Sequence, residues 1–200
     1  MDKAGCIAAQ ETNTMLHPKI AIVTPSYNQA PFINACMVSI LNQNYPNLDY
    51  RVFDAGSTDG SVEIIRKQAD RLADWRSAPD DGPYSAISEG FSQSDAEILG
   101  WLNSDDMLLP GSLRYVGEVF QTFPQVHWIT SITPGLLNGA GDLTSARMVG
   151  FSKDSWMDGR NPGRSRYTGH GFIQQESTFF RRALWDEVGG LRADYRLAGD

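Results

Sequence analysis

Lys19-Ile-Ala-Ile-Val-Thr-Pro-Ser-Tyr-Asn-Gln-Ala-Pro-Phe-Ile-Asn-Ala-Cys-Met-Val-Ser-Ile-Leu-Asn-Gln43 is the stretch that decides the fold. Its first six residues form a short β-branched run with no apolar–polar alternation. A strand covered on both faces reads this way, and Pro25 closes it. From Pro31 to Gln43 the period changes. Phe32, Ile33, Cys36, Met37, Ile40 and Leu41 recur at spacings of three and four, an amphipathic helix with proline at its entry. A buried strand leading into such a helix is half of a βαβ unit, so the expected class is α/β, a three-layer αβα sandwich around a mostly parallel sheet.

The same alternation continues outward. Tyr50 to Phe53 reads as a second strand and ends in Asp54-Ala-Gly-Ser-Thr-Asp-Gly60; Ser61 to Ala73 reads as a second helix with Val62, Ile64, Ile65 and Ala69 inward. After a loop over Ser77–Gly82 come a helix from about Tyr84 to Gln93 and the strand Glu97–Leu102, followed by Asn103-Ser-Asp-Asp106. Pro110-Gly111-Ser112 then opens a helix to about Phe123, and Val126–Thr130 resembles another strand. Between Ser131 and Gly171 the pattern dissolves into Gly, Pro, Ser and Arg, with Trp156 and Tyr167 as isolated anchors. A loop of that length in a compact domain reads as a binding segment or lid. Ser177–Phe180 and a short helix from Arg182 to Val188 restore order.

Composition narrows the function. The 200 residues carry 17 Lys and Arg against 24 Asp and Glu, a net charge of −7. This balance argues against a nucleic-acid binder, whose phosphate contacts need clustered cations. An acidic chain that handles phosphates needs a metal ion between itself and them. No apolar run is long enough to span a bilayer, and the first 18 residues read as a loose tail without a signal-peptide core. Cys6 and Cys36 show no CxxC spacing, so neither zinc nor a disulfide framework is signalled, Cys36 reads as a small buried hydrophobe, and a reducing, cytoplasmic location is the default expectation.

Polar clusters fall at the carboxyl ends of the expected strands, where open α/β sheets bind ligands. In Trp101-Leu-Asn-Ser-Asp-Asp106, adjacent carboxylates end a buried strand; they repel one another unless a hard cation such as Mg2+ or Mn2+ sits beside them. A solvated turn capping the next helix is the competing reading. In the second cluster, Gly56 and Gly60 permit close backbone approach, Asp54 offers acceptors for a base edge or ribose, and Asp59 reads as a cap for the helix starting at Ser61. In Pro25-Ser-Tyr-Asn28, Tyr27 offers a face for a planar base, packing being the alternative. No GxGxxG follows the first strand and no Ser/His/Asp grouping is present, which disfavours dinucleotide and hydrolase sites. Of His17, His127 and His170, only His170 could neighbour a site, a surface histidine being the favoured reading.

Taken together, Ile22-Val-Thr-Pro-Ser-Tyr-Asn28, Asp54-Ala-Gly-Ser-Thr-Asp-Gly60, Trp101-Leu-Asn-Ser-Asp-Asp106 and Leu197-Ala-Gly-Asp200 resemble the family 2 glycosyltransferases of the GT-A fold, in family order from Lys19 to Asp200. Pro79-Asp-Asp-Gly-Pro-Tyr84 with Gly90 is similar to the family's donor-side loop and helix. Gln175-Glu-Ser-Thr-Phe-Phe-Arg-Arg182 is similar to its acceptor-side segment. The resemblance implies a tail over 1–18 and one domain over 19–200, with a nucleotide-binding part at 19–130 and an acceptor-side part at 131–200.

It further implies an inverting, metal-dependent transferase that moves a sugar from a nucleotide-diphosphate sugar, a UDP-sugar first, to a hydroxyl of a glycan or lipid-linked acceptor in cell-surface polysaccharide synthesis. Pro25, Tyr27, Asp54 and Asp105 are implied at the nucleotide and Asp80 at the donor sugar or phosphates. Asp106 is implied at the phosphates as ligand of a Mn2+ or Mg2+ ion, and Asp200 as general base. Ala55 stands where many members carry a second acidic residue, Ser85 and Ser88 where Asp and Asn are usual, and Glu89 where a basic residue is common. The family's domain continues past the Asp200 motif, so a truncated chain with weak or absent transfer is expected, and an impaired nucleotide-sugar-binding domain is the alternative. Lipid-linked acceptors leave peripheral contact with the inner membrane face open, while Arg160, Arg164 and Arg166 read as a solvated loop that could instead face an anionic acceptor or the donor phosphates.

Overall fold

The structure is a computed structural model that describes residues 17–131, 135–138, 142–146, 154, 157–158 and 173–191. The opening stretch forms β1 (Ile20–Ser26) and α1 (Ile33–Leu41), and the next unit forms β2 (Leu48–Asp54), α2 (Ser61–Arg66) and β3 (Asp74–Ser77). They are followed by α3 (Pro83–Ser92), β4 (Ile98–Trp101), α4 (Ser112–Thr122) and β5 (Trp128–Ile129), then by the antiparallel pair β6 (Gly135–Leu137) and β7 (Leu143–Ala146). A 3-10 turn at Gln175–Ser177 leads into β8 (Phe179–Arg181) and α5 (Arg182–Val188).

Six strands form one sheet in the order β3-β2-β1-β4-β8-β5. β1, β2, β3 and β4 run parallel, and β8 lies antiparallel between β4 and β5. The chain moves from β1 outward through β2 to β3, then crosses back to place β4 on the other side of β1. That reversal opens a crevice above the carboxyl ends of β1 and β4.

Alternate residues of β1 serve different cores. Ile20 and Ile22 pack with Ile33, Met37 and Ile40 of α1 and with Leu113, Val116 and Phe120 of α4. Ala21 and Val23 pack on the other face with Ile87 and Phe91 of α3, joined by Phe180 and Trp185. These two cores lie between the sheet and the helices that cover its two faces. α3 lies so close that a Cβ built on Gly90 would fall 2.5 Å from Val23 Cγ2, and glycine there is a packing requirement.

Three local expectations need correction. The helix expected over Ser61–Ala73 stops at Arg66, and a 3-10 turn at Ala69–Arg71 leads directly into β3, a strand absent from the sequence reading. β3 is a four-residue edge strand, Asp-Trp-Arg-Ser, paired only to β2, too short and mixed to show a period. The long loop contains the β6–β7 hairpin. Trp156, Arg160, Arg164, Arg166, Tyr167, His170, Asp200, Cys6 and the tail to residue 16 lie outside the described residues. His127 precedes β5, exposed, its carbonyl accepting the Arg181 N–H at 2.8 Å.

Candidate functional site

A cavity of about 550 Å³ opens above the carboxyl ends of β1, β2 and β4, a size within the ~300–1,000 Å³ usual for small-molecule sites. Pro25, Ser26, Tyr27 and Gln29 line it from β1 and its loop, Ala55 from β2, Pro79, Asp80, Gly82 and Pro83 from the segment before α3, and Asn103, Ser104 and Asp105 from the turn after β4. One side is apolar, with Tyr27 holding its ring in the open at 61% exposure. The other side carries amides, hydroxyls and carboxylates.

The β1 and β2 ends are bonded to each other. Asn28, in the left-handed region at φ 52°, accepts the Thr58 N–H on its Oδ1 at 3.0 Å, while its own N–H donates to Ser57 Oγ at 2.7 Å. The Gln29 N–H donates to Ser61 Oγ at 3.0 Å and the Ala30 N–H to Asp59 Oδ2 at 2.8 Å. Asp59 also accepts the N–H and hydroxyl of Ser61, the first residue of α2, matching its expected place at the helix start. The Ser61 hydroxyl and the Ala30 N–H hold its carboxyl below the ordinary carboxylate value.

Asp54 is arranged differently from the expectation. It is fully buried and absent from the cavity wall. Its Oδ2 accepts from Gly56 N at 3.1 Å, Ser57 N at 2.8 Å and Ser77 Oγ at 2.6 Å, and its Oδ1 accepts the Ser57 hydroxyl. Gly56 at φ +82° turns the chain so that these donors face back onto the strand end. The carboxylate is an organiser of its own loop, and the residue it presents to the cavity is Ala55.

Asp80 lines the cavity with its side chain only 8% exposed, accepting the Gly82 N–H at 2.9 Å with the Arg76 guanidinium 3.9 Å away. Arg76 is itself engaged by Glu89 at 2.7 Å and lies over the Phe53 ring. Glu89, read from the sequence as a departure from family pattern, thus orders a cation at the cavity's flank.

The carboxylates after β4 do not cap the next helix. α4 begins at Ser112 behind Gly111, and its Leu113 N–H is capped by Gln43 Oε1 at 2.9 Å. Asp105 is exposed on the cavity wall. Asp106 is half-buried, closing a turn with its N–H on the Asn103 carbonyl at 3.0 Å. Burial, then the carboxylates of Glu176 and Asp105, push the Asp106 carboxyl up from 3.8 to about 7, opposed by a hydrogen bond with the Asn103 side chain.

Glu176 was read from the sequence only as part of a segment, with no role of its own. It arrives through Gln175, whose Nε2 donates to the Trp101 carbonyl at 2.7 Å and whose Oε1 accepts from Asn103 Nδ2 at 3.2 Å. The only signal available was a polar Gln-Glu pair just before a strand.

Burial and the neighbouring carboxylates of Glu176 and Asp105 disfavour the charged form of Asp106, and a hard divalent ion would offset that negative charge. Among the described residues no three His, Cys, Asp or Glu side chains converge as a metal cage. The donor set suits an ion that takes few protein ligands and fills its shell with water and phosphate oxygens, as Mg2+ and Mn2+ do.

A three-layer sheet with a polar crevice over its switch point and an acidic turn at its rim is the architecture of a nucleotide-sugar transferase fold. The chain belongs to the family 2 glycosyltransferases: the family model described as "Glycosyl transferase family 2" matches residues 21–189. It is 28% identical over 204 residues to the O-antigen biosynthesis protein RfbC of Myxococcus xanthus, an alignment covering 97% of this chain and 15% of that protein. Among solved structures it is similar in fold to S. aureus TarS, with a TM-score of 0.66 and 17% identity over 91% of this chain and 32% of that one. The mannosyltransferase PcManGT from Pyrobaculum calidifontis, solved with GDP-Man and Mn2+, gives a TM-score of 0.61 and 18% identity over 96% of this chain and 56% of that one. The chain spans 33%, 40% and 15% of the length of three curated relatives it matches. Among the described residues no helix is long and apolar enough to cross a membrane.

Proposed function

We propose that the protein transfers a sugar from a nucleoside-diphosphate sugar to an acceptor hydroxyl on a glycan or lipid-linked chain, with inversion at the anomeric carbon. The observation that carries this reading is the cavity itself, whose wall includes the exposed ring of Tyr27 and the carboxylate of Asp105, with Asp106 next in the chain but outside that lining. A donor lying across it sets its base against Pro25 and Tyr27, its ribose near Asp105 and its sugar near Asp80. Asp54 supports the base end through the loop that it holds together.

Asp106 is the carboxylate that holds a Mn2+ or Mg2+ ion, with Glu176 adding negative charge nearby. When bound, the ion supplies Lewis-acid stabilisation of the charge developing on the leaving diphosphate. Asp200, which lies outside the described residues, accepts the proton from the acceptor hydroxyl as its oxygen attacks the anomeric carbon from the face opposite the nucleotide. General-base assistance of this kind is worth about 10²–10⁴ in rate. A lipid-linked acceptor would bring this chemistry to the cytoplasmic face of a membrane.

Calorimetry with UDP, GDP and their sugars, with and without Mn2+, tests the donor half, and release of nucleoside diphosphate in the presence of acceptor tests the transfer half. Metal-dependent nucleotide binding is the expected result, with Asp200→Asn removing turnover and sparing affinity. Binding without turnover in the unaltered chain would favour a holding role. Absence of any nucleotide affinity would overturn the reading.

A further inference from the structure

Ser26 ends β1 and lies in the cavity wall, 5% exposed, and its hydroxyl is the one buried side-chain polar atom among the described residues with no hydrogen-bond partner. Buried hydroxyls are ordinarily satisfied, because an unmade bond there carries the full cost of desolvation. Two residues earlier on the same face of the strand, the chain meets the same requirement. Thr24 is also fully buried, and its hydroxyl pairs with the Tyr50 hydroxyl at 3.0 Å. The interior supplies a partner at Thr24 and none at Ser26, where the interior gives way to the cavity.

Resting on the function proposed above, we infer that the Ser26 hydroxyl is a binding residue for the nucleoside of the donor, taking from the ligand the hydrogen bond that the protein withholds. Its neighbours restrict what it meets. Tyr27 follows it directly, and the main-chain carbonyl of Ser26 is already engaged by the Ala55 N–H at 2.8 Å, which leaves the hydroxyl as the unpaired acceptor and donor. Ser26 is opposite Asp54 in the β1–β2 register and shares the cavity wall with Tyr27 and Ala55, which fits base or ribose better than phosphate. A hydroxyl can donate and accept, and a change of staggered well about χ1 lets it turn to a ligand group seated against this wall. Ala55 offers no polar side chain there, so within the paired ends of β1 and β2 the serine would be the side chain that reads the nucleoside polar edge, with Gln29 further along the loop.

Ser26→Ala tests this in the full chain. The unaltered protein and the variant are titrated with UDP, GDP, CDP, 2′-deoxy-UDP and inorganic pyrophosphate in the presence of Mn2+, and their melting temperatures are compared. The expected result is an affinity loss of about tenfold for the preferred nucleoside diphosphate, with melting level or raised because an orphaned hydroxyl has been removed. A loss that vanishes with 2′-deoxy-UDP assigns the contact to the ribose hydroxyl, and one that persists assigns it to the base; either supports the inference. Nucleotide affinity within twofold of the unaltered protein, an equal loss for pyrophosphate, or a loss accompanied by a lowered melting temperature would overturn it. If the unaltered chain binds none of the nucleotides, the proposed function itself fails.

Discussion

Gln175 reaches the end of β4 and donates to the Trp101 carbonyl at 2.7 Å across 74 residues of chain. Its other amide atom accepts from Asn103, so one side chain bonds both the last residue of the strand and the turn bearing Asp105 and Asp106. The chain direction then delivers Glu176 beside Asp106.

Gln175→Ala should therefore lower stability by about 1–2 kcal/mol, since a part-buried carbonyl and the Asn103 amide both lose a partner. Denaturant unfolding measures that loss. Calorimetry should show weaker Mn2+-dependent nucleotide binding in the same variant, because the acidic turn is no longer braced.

Asp106 makes the metal-free protein sensitive to pH in an unusual direction. Its carboxyl titrates at about 7 when folded and near the ordinary 3.8 when unfolded, so the folded state binds the extra proton between those values. Stability then falls as pH rises from about 4 through 7. Asp106→Asn should melt higher than the unaltered protein at pH 8 and much the same at pH 4. Mn2+ should raise the melting temperature of the unaltered protein at pH 8 and leave the variant where it was.

Asp54→Ala leaves four donors on Gly56, Ser57 and Ser77 without their acceptor. Removal of one partner in a buried network costs the desolvation of what remains, here about 3 kcal/mol. Urea unfolding should show that loss in protein that has seen no nucleotide. A variant with unchanged stability and selectively lost nucleotide binding would mean that the carboxylate meets the base directly.

Tyr27→Ala should behave in the opposite way. The ring is 61% exposed, so stability should stay within about 0.5 kcal/mol. Nucleotide affinity should drop about tenfold if a base stacks on that face.

How much of this was legible in the sequence depends on how local each feature is. β1 and α1 could be read because each holds a single period over a whole element. β3 could not, since Asp74 and Ser77 are exposed and its only strand neighbour is β2. The early end of α2 carries no glycine or proline near Arg66 to announce it. That β8 runs antiparallel between β4 and β5 depends on pairings across the chain, which no window of sequence contains. The site divides in the same way. Tyr27 and Asp105 were found at the cavity because strand ends in such sheets face it, and Asp80 only through the resemblance of its loop to the family's donor-side segment. Asp54 satisfies the same rule by position, but donors two and three residues ahead claim its oxygens. Glu176 stands beside Asp106 only because of the Gln175 amide.

The exchange of hydrogen bonds between Asn28, Gln29 and Ala30 on one side and Ser57, Thr58, Asp59 and Ser61 on the other has an engineering consequence. It welds the β1 and β2 walls into a frame, whereas residues 79–82 take no part in that exchange. A library randomised over 79–82 would redraw the wall before α3 while the frame stayed in register. Selectivity for the sugar could then be evolved separately from the grip on the nucleoside.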